Sequence, residues 1–112
     1  MSGEERRRVP RYPFIASAEL VEVRSDVRVA TRVSELSLGG CYLDMMNPFP
    51  MGTRVLVKIS EGDEFFEAAS EIVYKTEHLG VGVRFLEIEP SFLAVLMRWL
   101  DRAEKDRLRQ NS

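Results

Sequence analysis

The stretch Val27-Arg28-Val29-Ala30-Thr31-Arg32-Val33 decides the fold. Val27, Val29, Thr31 and Val33 alternate with Arg28, Ala30 and Arg32, and a period of two marks a strand with one buried face. On its N-terminal side Ser25-Asp26 supplies a hairpin turn, and Ile15 to Arg24 reads as the partner strand, rich in β-branched residues. On its C-terminal side the turn-rich segment Ser34 to Gly40 leads into a short third strand. There Cys41, Leu43 and Met45 alternate with Tyr42 and Asp44. Asn47-Pro48-Phe49-Pro50-Met51-Gly52 breaks any regular element. Val55, Val57 and Ile59 mark a fourth strand, and Phe65 to Lys75 a long fifth after the turn at Glu61-Gly62-Asp63. The sixth, Leu79 to Phe85, follows Glu77-His78 and carries Gly80 and Gly82 on one face, with Val81, Val83 and Phe85 on the other.

After Pro90 the period changes. Phe92, Leu96, Trp99 and Ala103 recur at helical spacing, widened by Leu93, Met97 and Leu100. Pro90 suits the first turn, and Asp101 and Lys105 form an i, i+4 pair on the solvated side. The chain is therefore expected to be mostly β: a six-stranded antiparallel β-barrel with a C-terminal α-helix. Closing the sheet removes the exposed edges of a flat meander. The helix's apolar stripe would cover a mouth or flank of the barrel, with Trp99 in the core. The 112 residues make one domain, 1–112, with a flexible basic arm over 1–13, the barrel over 14–86 and the helix over 90–108.

Composition narrows the function classes. At 45% hydrophobic and 30% charged, the chain is too apolar for disorder. No uncharged apolar run is long enough to span a bilayer, so membrane insertion is not expected. The opening MSGEERRRVPRYPF has arginines without an apolar stretch behind them, which is not a signal peptide. One cysteine, Cys41, leaves no intrachain disulfide, and a reducing cytoplasm follows as the expected location. A single histidine, His78, removes His-rich metal sites and most triad chemistry. Without a nucleophile–base pair, a metal cluster or a paired-carboxylate pocket, the chain reads as no enzyme and needs no cofactor.

The net charge of −2 conceals an asymmetry. Arg6, Arg7, Arg8 and Arg11 put four cations in six residues, whereas Gly40 to Pro90 holds nine acids against four bases. A focused basic arm on an acidic body suits a small anion better than DNA or RNA. A guanidinium fork matches phosphate oxygens or the O6/N7 edge of guanine, and Pro10 stiffens the run. Taken alone, the run reads first as a solvated tail. The second marked segment is Glu35-Leu36-Ser37-Leu38-Gly39-Gly40. A carboxylate accepts from guanine N1–H and N2–H, a serine both donates and accepts, and glycines permit unusual backbone angles or close approach of a ligand. Taken alone, it reads first as a tight connection that needs glycine at positive φ.

Together, and in this order, the two segments resemble the PilZ domain, a bacterial receptor for cyclic di-GMP. Arg7 and Arg11 match its R-x-x-x-R motif, and Ser37 and Gly40 match its [D/N]-x-S-x-x-G motif. Gly39-Gly40-Cys41-Tyr42-Leu43, Pro50-Met51-Gly52-Thr53 and Gly80-Val81-Gly82-Val83-Arg84-Phe85 extend the resemblance over about residues 5–100. It implies a PilZ-like domain that binds cyclic di-GMP through Arg6, Arg7, Arg8, Arg11, Glu35, Ser37, Gly39 and Gly40. With Arg6 just before the first motif arginine, it implies two ligand molecules per chain. The signal would pass in trans to a separate effector protein. Glu35 departs from the family's Asp or Asn by one methylene. That departure supports an alternative, a module that has lost the nucleotide and acts as a protein–protein adaptor, with Met45, Met46 and Phe49 as an adaptable apolar patch. Tyr12, Tyr42 and Tyr74 are candidate base-stacking rings that spacing does not separate.

Overall fold

The computed structural model describes residues 9–110. Six strands precede one helix: β1 (Arg11–Glu22), β2 (Arg28–Ser37), β3 (Gly40–Asp44), β4 (Arg54–Glu61), β5 (Glu64–Thr76), β6 (Gly80–Glu87) and α1 (Pro90–Gln110). They close into an antiparallel barrel in the order β1-β2-β3-β6-β5-β4. The expected class, a mostly β six-stranded barrel with a C-terminal helix, is the one found.

Alternation supplies the core. Leu20, Val33, Leu43, Val55, Val57, Ile59, Phe66 and Val81 are fully buried, each the inward residue of its strand. The helix covers a flank. β4 pairs with β1 only from Ser17 onward. Ahead of that point the helix replaces it, with Phe14 stacked on Trp99 at 5.4 Å between ring centroids. Trp99 is fully buried, lies tilted against Phe66 with ring centroids 6.4 Å apart, and donates its indole N–H to Glu64 over 3.0 Å. Glu64 also accepts from Arg98, so one carboxylate ties β5 to the helix.

Three features differ from the sequence reading, each for a physical reason. β1 begins at Arg11 rather than Ile15, because Arg11, Tyr12 and Pro13 already pair with Ser37, Leu36 and Glu35 of β2. These three residues belong to the barrel wall and not to a basic arm. Pro13 lacks an N–H, but β4 has no partner for it there. β2 runs on through Ser37, where the sequence suggests a loop from Ser34. The register shifts between Val33 and Glu35, so Val33 and Leu36, three apart, both face the core. That bulge breaks the period that pattern reading depends on. Finally, the Met45–Met46–Phe49 surface patch does not form. Met45 continues the inward face of β3, Phe49 packs against the core, and only Met46 is exposed. Among the described residues, no helix is long and apolar enough to cross a membrane.

Candidate ligand-binding site

A groove of about 310 Å³ lies on the outer wall of the barrel, where the start of β1, the β2–β3 turn and the paired strands β5 and β6 meet. Small-molecule sites begin at about this size. Arg11, Glu35, Ser37, Gly39 and Gly40 all line it, so five of the eight residues singled out in the sequence come together in one place. Arg6, Arg7 and Arg8 lie outside the described residues. Val9, which follows them in the chain, is on the groove wall.

The β2–β3 turn is built by Ser37. Its hydroxyl accepts from the backbone N–H of Gly39 (3.2 Å) and of Gly40 (3.1 Å) and donates to the Gly40 carbonyl (3.2 Å). This local serine turn uses the side chain to satisfy backbone groups that a two-residue link leaves over. Ser37 is nearly buried, and its hydroxyl is committed to holding the loop. The two glycines differ in role, and neither has a positive φ. A Cβ on Gly40 would sit 2.0 Å from the Val83 carbonyl oxygen of β6, so Gly40 is required by strand packing. A Cβ on Gly39 would meet nothing within 4 Å, and that position opens onto the groove. The positive-φ reading of this pair is thus replaced by close approach of two strands.

The charges at the rim are accessible. Arg11 Nη1 lies 3.4 Å from Glu35 Oε1, with both side chains solvated. An exposed pair of this length contributes about 0–1 kcal/mol, so either partner is available to a ligand. Across the groove, Arg84 pairs with Glu71 at 3.0 Å across the β5–β6 ladder. Arg84 is 61% exposed at its side chain and lines the groove as a second guanidinium. Cys41 forms part of the floor, and burial pushes its thiol pKa up, which keeps it protonated and unreactive.

Of the three tyrosines, the structure separates what spacing does not. Tyr12 faces away from the groove. Its hydroxyl hydrogen-bonds to Glu104 of the helix, which raises its pKa, and Arg107 lies over its ring at 5.9 Å. Tyr74 lines the groove and is 41% exposed. Tyr42 lies beside it, centroids 6.1 Å apart and planes 25° from parallel. Val73 and Arg84 are groove residues that the site reading missed, and of the three candidate rings Tyr74 is the one that lines the groove. Arg84 carries a signal in its outward alternation beside Val83. Nothing in the spacing singles out Tyr74 from the other two rings, because a register shift after Ile72 turns it outward.

Comparison with known proteins follows the same course. The family model for the PilZ domain matches residues 5–102. No curated protein gives a significant sequence match. Among solved structures, the PilZ domain with c-di-GMP of YcgR from Escherichia coli superposes with a TM-score of 0.75 at 18% identity, covering 95% of this chain and 97% of that one. The PilZ domain of CeSA from a cellulose-synthesizing bacterium gives 0.64 at 18% identity, covering 80% and 92%. The Bacillus subtilis inhibitor of motility (MotI/DgrA) gives 0.72 at 14% identity over 88% of this chain, which spans 51% of that protein. The family match runs from ahead of the first motif arginine into the C-terminal helix, over a barrel of the same architecture, and on that ground the chain belongs to the PilZ domain family.

Proposed function

We propose that this chain is a non-catalytic receptor for cyclic di-GMP. The observation that carries the reading is the single groove that gathers Arg11, Glu35, the Ser37–Gly40 turn, Tyr74 and Arg84. Two guanidinium groups offer forked donors to phosphate oxygens or guanine edges, and Glu35 offers an acceptor to guanine N1–H and N2–H. The open position at Gly39 lets a flat base approach the backbone. Membership of the PilZ family and the c-di-GMP in the YcgR PilZ structure agree with this chemistry. Arg6, Arg7 and Arg8 complete the phosphate clamp. With Arg11 they supply four cations against the four phosphate charges of two ligand molecules, which supports a ratio of two. Ligand binding presents a new surface in trans to an effector protein in the cytoplasm.

A second reading, an adaptor that no longer binds the nucleotide, draws on one observation. Glu35, longer than the family's usual residue, already engages Arg11 at 3.4 Å. Calorimetric titration with cyclic di-GMP decides between them. The receptor reading expects a saturable heat with a ratio of two, lost in the Arg7→Ala, Arg11→Ala double variant. A folded wild type that gives no heat at near-millimolar ligand overturns the receptor reading and leaves the adaptor reading standing.

A further inference from the structure

We infer that Tyr74 is a preformed stacking platform for one guanine base of the ligand, an assignment that rests on the cyclic di-GMP reading above. Along β5, Phe66, Ala68, Ser70 and Ile72 point inward at every second position. The pairing with β6 then shifts register, from Ile72 opposite Val83 to Tyr74 opposite Gly82. One added residue reverses the alternation, so Tyr74 faces solvent where the pattern of β5 would bury it. Bulges re-aim side chains in this way beside binding sites.

What the re-aimed ring meets is specific. A Cβ built on Gly82 would lie 2.2 Å from the Tyr74 ring, so the ring lies flat on a strand that has no side chain there. Gly80 gives Tyr42 the same room, with its Cβ position 2.9 Å from that ring. The two rings, 25° from parallel, cover the outside of β6 side by side. Held by a glycine beneath and a tyrosine alongside, Tyr74 has little rotamer freedom left to lose on binding. It remains 41% exposed and lines the groove that Arg11, Glu35 and Arg84 surround. A flat π-surface beside two guanidinium groups and a carboxylate suits a purine carrying phosphates. Stacking tolerates any base, so the ring supplies affinity while Glu35 reads the guanine edge.

The test uses the full chain, cyclic di-GMP, and four proteins: wild type, Tyr74→Phe, Tyr74→Leu and Gly82→Ala. Circular dichroism verifies the fold of each. Tyr74→Phe keeps the platform and should bind within about twofold of wild type. Tyr74→Leu should weaken binding roughly 5- to 150-fold, the range for removing one base–aromatic stack. Gly82→Ala keeps the tyrosine but displaces its ring, and should weaken binding in the same direction. The ligand's guanine H8 proton resonances should move upfield on binding to wild type and Tyr74→Phe, through the ring current, and lose that shift with Tyr74→Leu. Binding of Tyr74→Leu equal to wild type overturns the platform and leaves the receptor reading intact. Equal losses in Tyr74→Phe and Tyr74→Leu assign the effect to the hydroxyl and also overturn it. A wild type that does not bind removes the receptor reading and this inference together.

Discussion

Glu35 and Glu64 are both glutamates next to an arginine, on opposite sides of β1, and they are used in opposite ways. Glu64 is filled: Arg98 takes one carboxylate oxygen and the indole N–H of the buried Trp99 takes the other. The bond from Arg98, followed by that from Trp99, holds its pKa below the ordinary carboxylate range. Glu35 has one partner among the described residues, Arg11 at 3.4 Å, and faces a groove. A carboxylate with both oxygens engaged holds structure together. One with unused acceptor capacity, beside a cavity, is available to a ligand. The same contrast separates the seam of the helix from the outer wall of β6.

The largest effects should come from breaking the helix seam. Trp99→Ala removes a fully buried ring and should cost about 3–5 kcal/mol of stability, read from urea denaturation. Retention of wild-type stability would mean the seam is not what holds the helix. A smaller but sharper contrast lies in adjacent glycines. Gly40→Ala drives a methyl into the Val83 carbonyl and should cost about 1–3 kcal/mol. Gly39→Ala should stay within about 0.5 kcal/mol of wild type, since its Cβ meets nothing. Equal losses at both positions would refute the division of roles.

Glu35→Ala sharpens the comparison from the groove side. Stability should move by less than about 0.5 kcal/mol, as expected of an exposed pair. Affinity for cyclic di-GMP should fall roughly 5- to 150-fold, because the guanine donors lose a charged acceptor. Glu35→Asp should tighten binding by restoring the shorter reach, and calorimetry reads both.

The smallest effect is in acid. Glu64 has a folded pKa below its unfolded value, so its contribution is present above the unfolded pKa, near 4.3, and is lost as pH falls through the folded value. Glu64→Gln should therefore make stability less dependent on pH below about 4.3, read from urea denaturation at a series of pH values. An unchanged acid limb in Glu64→Gln would show that the carboxylate's partners do not discriminate between charged and neutral forms.

Most of the barrel was legible because alternation survives wherever one face is buried, as in Val27 to Val33 and Val55 to Ile59. The helix was legible from the spacing of Leu96, Trp99 and Ala103. Legibility fails where the register slips. The bulge near Ser34 disguised the end of β2 as a loop, and the slip after Ile72 hid which of the three candidate tyrosines faces the groove. The motif residues were legible as a set, yet their division of labour was not. Ser37 turns its hydroxyl to the backbone, and Gly40 answers to a strand that lies more than forty residues away in sequence. Such long-range packing leaves no local trace. Arg84 became a groove residue only through its pairing position opposite Gly40.

The closure of the barrel by β1 against β4, sealed near the start of β1 by Trp99 on Phe14, has a kinetic consequence. Neighbouring strands zip through short hairpins, whereas these contacts join segments far apart along the chain. Loop-closure entropy must be spent before such contacts give anything back, so high contact order predicts folding on a millisecond-to-second scale. Hairpins should form first, ring closure afterwards, and the helix should dock last. The chain has one tryptophan, and it sits at that final seam. Its fluorescence in a stopped-flow experiment therefore times the moment at which the barrel is sealed, without any added label.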